Sequence, residues 1–243
     1  MTAPLFLTDT ETLSHDRVTL AGKEGRHAAT VRRIAVGETV DLTDGEGARA
    51  RCEVIEVGRD TVVFAVRDRW NEIPPEPRLT VVQALPKGDR GELAVELMTE
   101  AGVDRLVPWQ AQRSIAKWQG ERAAKGTAKW RATAREAAKQ SRRSHLPVVE
   151  DLYRMESVVD SLRSATLALV LHEDASRRLT EVTPPTSGEV VLVVGPEGGF
   201  TDTELAAFTD AGAQRVALGT SVLRTSTAGV AALSVLQARC GRW

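Results

Sequence analysis

A chain of 243 residues, 42% hydrophobic and 27% charged, has room for a substantial core, has the composition of a globular protein, and favours two domains over one. Its net charge of −1 argues against a protein that coats nucleic acid uniformly. Two cysteines, Cys52 and Cys240, form no disulfide framework, and no CxxC or His/Cys cluster points to a metal, so a reducing compartment and no metal are expected. The opening residues Met1–Leu7 lack the basic start and apolar core of a signal peptide, and no apolar run approaches membrane-spanning length. A cytoplasmic chain with no membrane partner is expected.

From Leu5 to about Arg69 the chain shows short β-like runs parted by turn signals. Val40–Leu42 leads into Thr43-Asp44-Gly45-Glu46-Gly47, a glycine-rich hairpin turn. Arg51–Val57 partly alternates polar and apolar residues, and Gly58-Arg59-Asp60 turns it into Thr61–Val66. This density of strands predicts a small antiparallel barrel. Gly25–Ile34 reads as one short helix with His27, Arg32 and Arg33 as polar members, His27 being structural or surface-exposed. Asn71–Pro77 carries three prolines within four residues, which regular structure does not accept, and sets the domain boundary at 72/73.

Beyond the boundary strands and helices alternate, the pattern of an α/β layer fold. Strands are predicted at Leu79–Leu85, Asp104–Trp109, Leu167–His172, Val190–Val194 and Arg215–Leu218. Helices are predicted at Glu92–Ala101 (stopped by Gly102), Glu121–Arg143, Thr203–Ala211 and Thr225–Ala238. The apolar run Val190–Val194 reads as a buried central strand of a parallel sheet. It ends in Gly195-Pro196-Glu197-Gly198-Gly199-Phe200, and Thr201 with Glu204 forms a capping box that opens the next helix. Ligands of open α/β sheets bind at such strand ends. A second glycine-bearing loop, Leu218–Ala228, follows the last strand with Arg224 in it, and Leu85–Arg90 puts two cations after the first.

Charge is uneven. Ala111–His145 holds ten basic residues against Glu121 and Glu136. Arg131, Arg135, Lys139 and Arg142 fall on one helix face, which reads either as a solvated face or as a contact to a phosphate backbone, the latter being favoured. No GxxxxGK[ST], GxGxxG or GxSxG motif is present, which turns the reading away from P-loop hydrolases, dehydrogenases and serine hydrolases.

Taken in order, Gln83–Arg90, Thr99–Leu106, Arg113-Ser114, Ala138–Arg142, Val194–Phe200 and Leu218–Thr225 resemble the 16S ribosomal RNA (uracil-N3-)-methyltransferases, the RsmE family of the SPOUT superfamily. His27…Val31-Arg32-Arg33 and Asp44–Gly47 are similar to that family's barrel domain, so the resemblance covers nearly the whole chain. It implies a PUA-like β-barrel for RNA at residues 1–72 and a SPOUT-type α/β domain with a deep trefoil knot at 73–243. It also implies a homodimer that uses S-adenosyl-L-methionine to methylate N3 of one uridine on the small ribosomal subunit. The alternatives are a SPOUT enzyme acting on another RNA, such as a transfer RNA, and a non-catalytic RNA-binding protein that keeps the fold.

The resemblance places the cofactor against Gly195, Pro196, Glu197, Gly198, Gly199 and Phe200, against Leu218, Gly219, Leu223, Arg224 and Thr225, and against the strand end at His172. Arg224 is the candidate for positioning the substrate or stabilising charge, and Glu197 is either a base or an acceptor for its own loop's N–H groups. Lys87, Arg113, Lys139, Arg142 and Arg143, with Arg32 and Arg33 from the barrel, are expected to grip RNA phosphates. Two departures stand out: Ser226 replaces a common glutamate in the last loop, and Leu97 stands where a basic residue is frequent.

Overall fold

A computed structural model describes residues 3–243, and Met1 and Thr2 of the N-terminal segment lie outside the described residues. Backbone contacts divide the chain into two units. The first holds the described residues up to Pro74 together with Ala138–Leu146, and the second holds Pro75–Ala137 and Pro147–Trp243. Ala138–Leu146, on the far side of the 72/73 boundary in sequence, therefore groups with the first unit.

The first unit contains β1 (Leu5–Leu7), α1 (Thr10–Leu13), β2 (Arg17–Leu20), α2 (Gly22–Arg26), β3 (Thr39–Thr43), β4 (Ala48–Val57) and β5 (Val62–Asn71). Its strands form one sheet in the order β1-β3-β4-β5-β2, antiparallel except for the parallel β1–β3 pair. The sheet is curled, a half-barrel in keeping with the expected small barrel. The edge strands β1 and β2 are short, three and four residues long. Two register shifts between β4 and β5, at Arg51/Cys52 and Val54/Glu56, add the twist that curls it. Phe6, Val18, Val40, Leu42, Val54 and Phe64 fill the concavity.

The predicted helix Gly25–Ile34 begins earlier, as α2, and continues as a π-helical turn over His27–Val31. Arg33 ends it at φ +52°.

The second unit contains β6 (Arg78–Ala84), α3 (Arg90–Glu100), β7 (Arg105–Trp109), most of α4 (Glu121–Gln140), β8 (Val148–Val149), α5 (Met155–Ser164) and β9 (Leu167–Leu171). It continues with β10 (Glu189–Val194), α6 (Asp202–Asp210), β11 (Gln214–Val216) and α7 (Thr225–Arg239). The strands pair in parallel in the order β11-β9-β10-β6-β7-β8. β10 is central, as its unbroken apolar run requires. Val190, Leu192 and Val194 face one core layer with Met98, Trp130 and Leu233. Val191 and Val193 face the other, with Trp109, Leu162 and Phe208.

α3 stops where expected, at Gly102 with φ +90°, whose N–H bonds to Thr99 O. α4 ends at Gln140 and not at Arg143. Arg142 takes φ +57°, and the N–H groups of Arg142 and Arg143 return to Lys139 O and Ala138 O, the hydrogen-bond pattern of a Schellman stop. α5 forms where no helix was read. It buries Val158, Ser161 and Leu162.

Cys52 is buried, and loss of hydration pushes its thiol up to about 12. Cys240 is half-buried and raised in the same direction by the same cause. A raised pKa keeps the proton on sulfur, so an aromatic disulfide reagent at pH 8 is expected to label Cys240 first and Cys52 only on unfolding. Rapid native-state labelling of Cys52→Ala and Cys240→Ala at equal rates would contradict this burial.

Candidate functional site

The carboxyl ends of β9, β10 and β11 and the start of α7 surround a cleft of about 550 Å³. That lies within the range of about 300–1,000 Å³ usual for small-molecule sites. All twelve residues from the two glycine loops and the β9 strand end that were singled out for a cofactor line this one cleft.

Three polar ties hold the loop after β10. The backbone N–H of Lys87 donates to Glu197 Oε1 at 3.1 Å. Arg113 donates through Nη1 to the carbonyls of Gly198, at 3.2 Å, and Phe200, at 3.0 Å. The predicted capping box is present at α6, where Glu204 Oε2 accepts from Thr201 N and Thr201 Oγ1 accepts from Glu204 N. Glu204 is 1% exposed, and its second oxygen accepts from Gln112 N at 2.8 Å. The segment after β7 thus clamps the loop after β10 twice, through Gln112 and through Arg113.

One wall is aromatic. The rings of Trp109 and Phe200 lie 5.9 Å apart at 22°, and Phe200 and His172 lie 6.3 Å apart at 21°. The backbone N–H of Asp174 donates to His172 Nδ1 at 3.2 Å, so a neutral His172 ring carries its proton on Nε2. Gly195 lets Phe200 lie against the backbone, since a Cβ there would come within 2.9 Å of the ring. Gly219 differs. Its Cβ would meet nothing within 4 Å, so no protein contact requires a glycine there.

Arg224 occupies the N-cap position of α7, is exposed, and makes no ion pair among the described residues. Ser226 is buried within the first turn of α7 and does not line the cleft, while Leu97 is half-buried on α3. Arg90, Ser221 and Val222, from the loops Leu85–Arg90 and Leu218–Ala228 noted in the sequence, also line the cleft, as do Glu173 and Asp174, which sequence reasoning missed. Glu173 and Asp174 follow His172 directly, and that adjacency is the signal for them.

The basic residues scatter. Arg113 lies at the cleft and is spent on the loop carbonyls. Lys87 contributes its backbone N–H to the loop tie, and its side chain is exposed outside the cleft. Lys139 is a correction: its side chain is 3% exposed and pairs with Glu24 at 2.8 Å, which removes it from any solvent-facing grip. Arg131 pairs with Asp151 at 3.1 Å, so the row of four helical cations is not an uncompensated stripe. Arg32, Arg33 and Arg142 are exposed in the first unit, and Arg143 is half-buried there.

Among the described residues no group of three or more His, Cys, Asp or Glu side chains is placed to hold a metal ion. Among them, too, no helix is long and apolar enough to cross a membrane.

A parallel sheet covered on both faces, with a glycine-walled cleft at its strand ends, defines an α/β domain that binds a small molecule. A family profile described as RNA methyltransferase domain matches residues 74–237, and one described as RNA methyltransferase PUA domain matches residues 20–66. The chain belongs to the RNA methyltransferases of the ribosomal RNA small subunit methyltransferase E family. It is 47% identical over 247 residues to ribosomal RNA small subunit methyltransferase E of Mycobacterium bovis, covering 100% of this chain and 94% of that one. The protein of that name from Bacillus subtilis is 30% identical over 226 residues, covering 89% and 88%. The crystal structure of the Neisseria gonorrhoeae ribosomal RNA small subunit methyltransferase E bound to S-adenosyl methionine superposes with a TM-score of 0.87 at 28% identity, covering 98% of each chain.

Replacing Arg113 by Met removes both hydrogen bonds to the loop carbonyls. A stability loss of about 1–2 kcal/mol is expected, discounted for the exposure of the guanidinium. Amide exchange across residues 197–201 should quicken in step. Unchanged exchange at that loop would show that Arg113 does not hold it.

Proposed function

We propose that this chain transfers the methyl group of S-adenosylmethionine to N3 of a uridine in small-subunit ribosomal RNA. The observation that carries the reading is the convergence of both glycine loops and the His172 strand end on one cleft, in a chain of this family. The cleft fits the cofactor. Gly219 leaves open space that packing does not explain, and Gly195–Phe200 offers bare backbone beside the stacked rings of Phe200 and His172.

S-adenosylmethionine, when bound, supplies an electrophilic methyl group. The chain's part is to align the uracil and ease loss of its N3 proton. Arg224 stands at the mouth of the last loop with no competing carboxylate among the described residues, and it stabilises the charge that develops on the ring. Glu197 keeps Oε1 on the Lys87 N–H as a structural acceptor and has Oε2 for the departing proton. Arg113 and Glu204 fix the loop that carries Glu197.

The finer architecture belongs to the same reading. β10 enters the sheet between β9 and β6, a strand order that accommodates the knotted C-terminal connection implied by the resemblance. Val222, 77% exposed, and Leu223, 40% exposed, offer apolar surface at the cleft rim to a second copy in a homodimer. The first unit serves as the RNA-binding domain, and the enzyme works in the cytoplasm, on the small subunit.

Titration calorimetry with S-adenosylmethionine tests the cofactor reading. Wild type is expected to bind with one site per chain. Gly219→Val should keep Tm within about 2 °C of wild type and lose at least about tenfold in affinity, about 1.4 kcal/mol. Absence of binding by wild type, or equal affinity in the variant, would contradict it.

A further inference from the structure

The first unit holds a smaller cavity, about 140 Å³, that the reaction does not use. His27, Arg32, Lys139, Gln140 and Arg142 line it, with Phe6 beneath. We propose that this cavity binds one phosphate group of the RNA strand, with the guanidinium groups of Arg32 and Arg142 as its partners. The inference deepens the proposed function and rests on RNA being the substrate.

Charge decides first. Lys139 Nζ is held by Glu24 at 2.8 Å and lies 3.4 Å from His27 Nδ1, so that cation is already neutralised by the neighbouring carboxylate. Arg32 and Arg142 are exposed and make no ion pair among the described residues. The cavity therefore carries two uncompensated positive charges on planar forks suited to phosphate oxygens.

Size and surface exclude a base. The cavity is well below the about 300–1,000 Å³ of small-molecule sites. Its one aromatic carbocycle, Phe6, is 1% exposed and lies edge-to-face with His27, with centroids 5.9 Å apart at 73°. A base would need an open ring face to stack on, and Phe6 offers none.

Backbone geometry is the third observation. The described non-glycine residues with left-handed φ are Arg33, at +52°, and Arg142, at +57°, both arginines of this unit and both at or beside the cavity. Arg142 sits at the helix-stop position that glycine usually fills. Its guanidinium gains no ion pair in exchange for that conformation, and an external anion supplies the missing partner.

This geometry gives a test in which stability and binding move in opposite directions. In the full chain, Arg142→Gly relieves the backbone and is expected to raise Tm by about 2–4 °C. Binding to purified small-subunit ribosomal RNA, followed by filter retention over about 50–200 mM salt, should weaken about fivefold at the middle of the range. The slope of log K against log salt should flatten by about 0.7–0.9. Arg32→Ala should reproduce the RNA effect without the gain in Tm, and Arg142→Lys should restore most of the affinity. All three variants should bind S-adenosylmethionine as wild type does.

Unchanged RNA affinity and slope in Arg142→Gly would overturn the proposal and leave Arg142 as a helix stop alone. A joint fall in Tm and affinity would overturn it as well. If millimolar inorganic phosphate raises the Tm of wild type while RNA binding is unchanged in Arg142→Gly and in Arg32→Ala, the cavity holds a free anion and no RNA strand. A wild-type chain that retains S-adenosylmethionine but no RNA would overturn the RNA reading together with this one.

Discussion

The cleft depends on how the backbone after β10 is held. A parallel strand buried on both faces delivers the chain to the sheet's end with its peptide groups still to be satisfied. Arg113 takes up the carbonyls of Gly198 and Phe200, Glu197 accepts from the loop before α3, and Glu204 accepts from Gln112. These ties let a glycine-rich segment stay open on one side without collapsing into the cleft. The glycines then have distinct uses: Gly195 admits the Phe200 ring, and Gly219 leaves space.

Local patterns carried much of this site in the sequence. The apolar run of β10, the glycine cluster after it and the Thr201/Glu204 capping box are signals set by residues within a few positions of one another. The structure keeps them nearly to the residue. The partners were hidden because they come from far along the chain. Arg113 reaches loop carbonyls 85 and 87 positions away, and the Lys87 N–H meets a carboxylate 110 positions on. No periodicity marks such pairings.

The basic stretch Ala111–His145 shows the opposite failure. Within the segment acidic residues are scarce, which favoured a continuous contact to a polyanion. The compensating carboxylates lie elsewhere in sequence: Glu92 on Lys129 at 2.9 Å, Asp151 on Arg131 at 3.1 Å and Glu24 on Lys139 at 2.8 Å. Counting charge in a window thus overstated the free cations, and tertiary pairing narrowed them to a few exposed arginines. The curl of the first unit's sheet has a related origin in pairing between strands. Strand density is readable in the sequence, whereas the curl comes from the register shifts between β4 and β5, which no local pattern marks.

The cleft of the second unit serves methyl transfer to RNA. The most direct test of that role is to incubate the purified chain with small ribosomal subunits and methyl-labelled S-adenosylmethionine, then digest the RNA and identify the labelled nucleoside. Label is expected in 3-methyluridine at one position of the small-subunit RNA. Label in a different nucleoside, or none in the RNA from a chain that binds the cofactor, would contradict it.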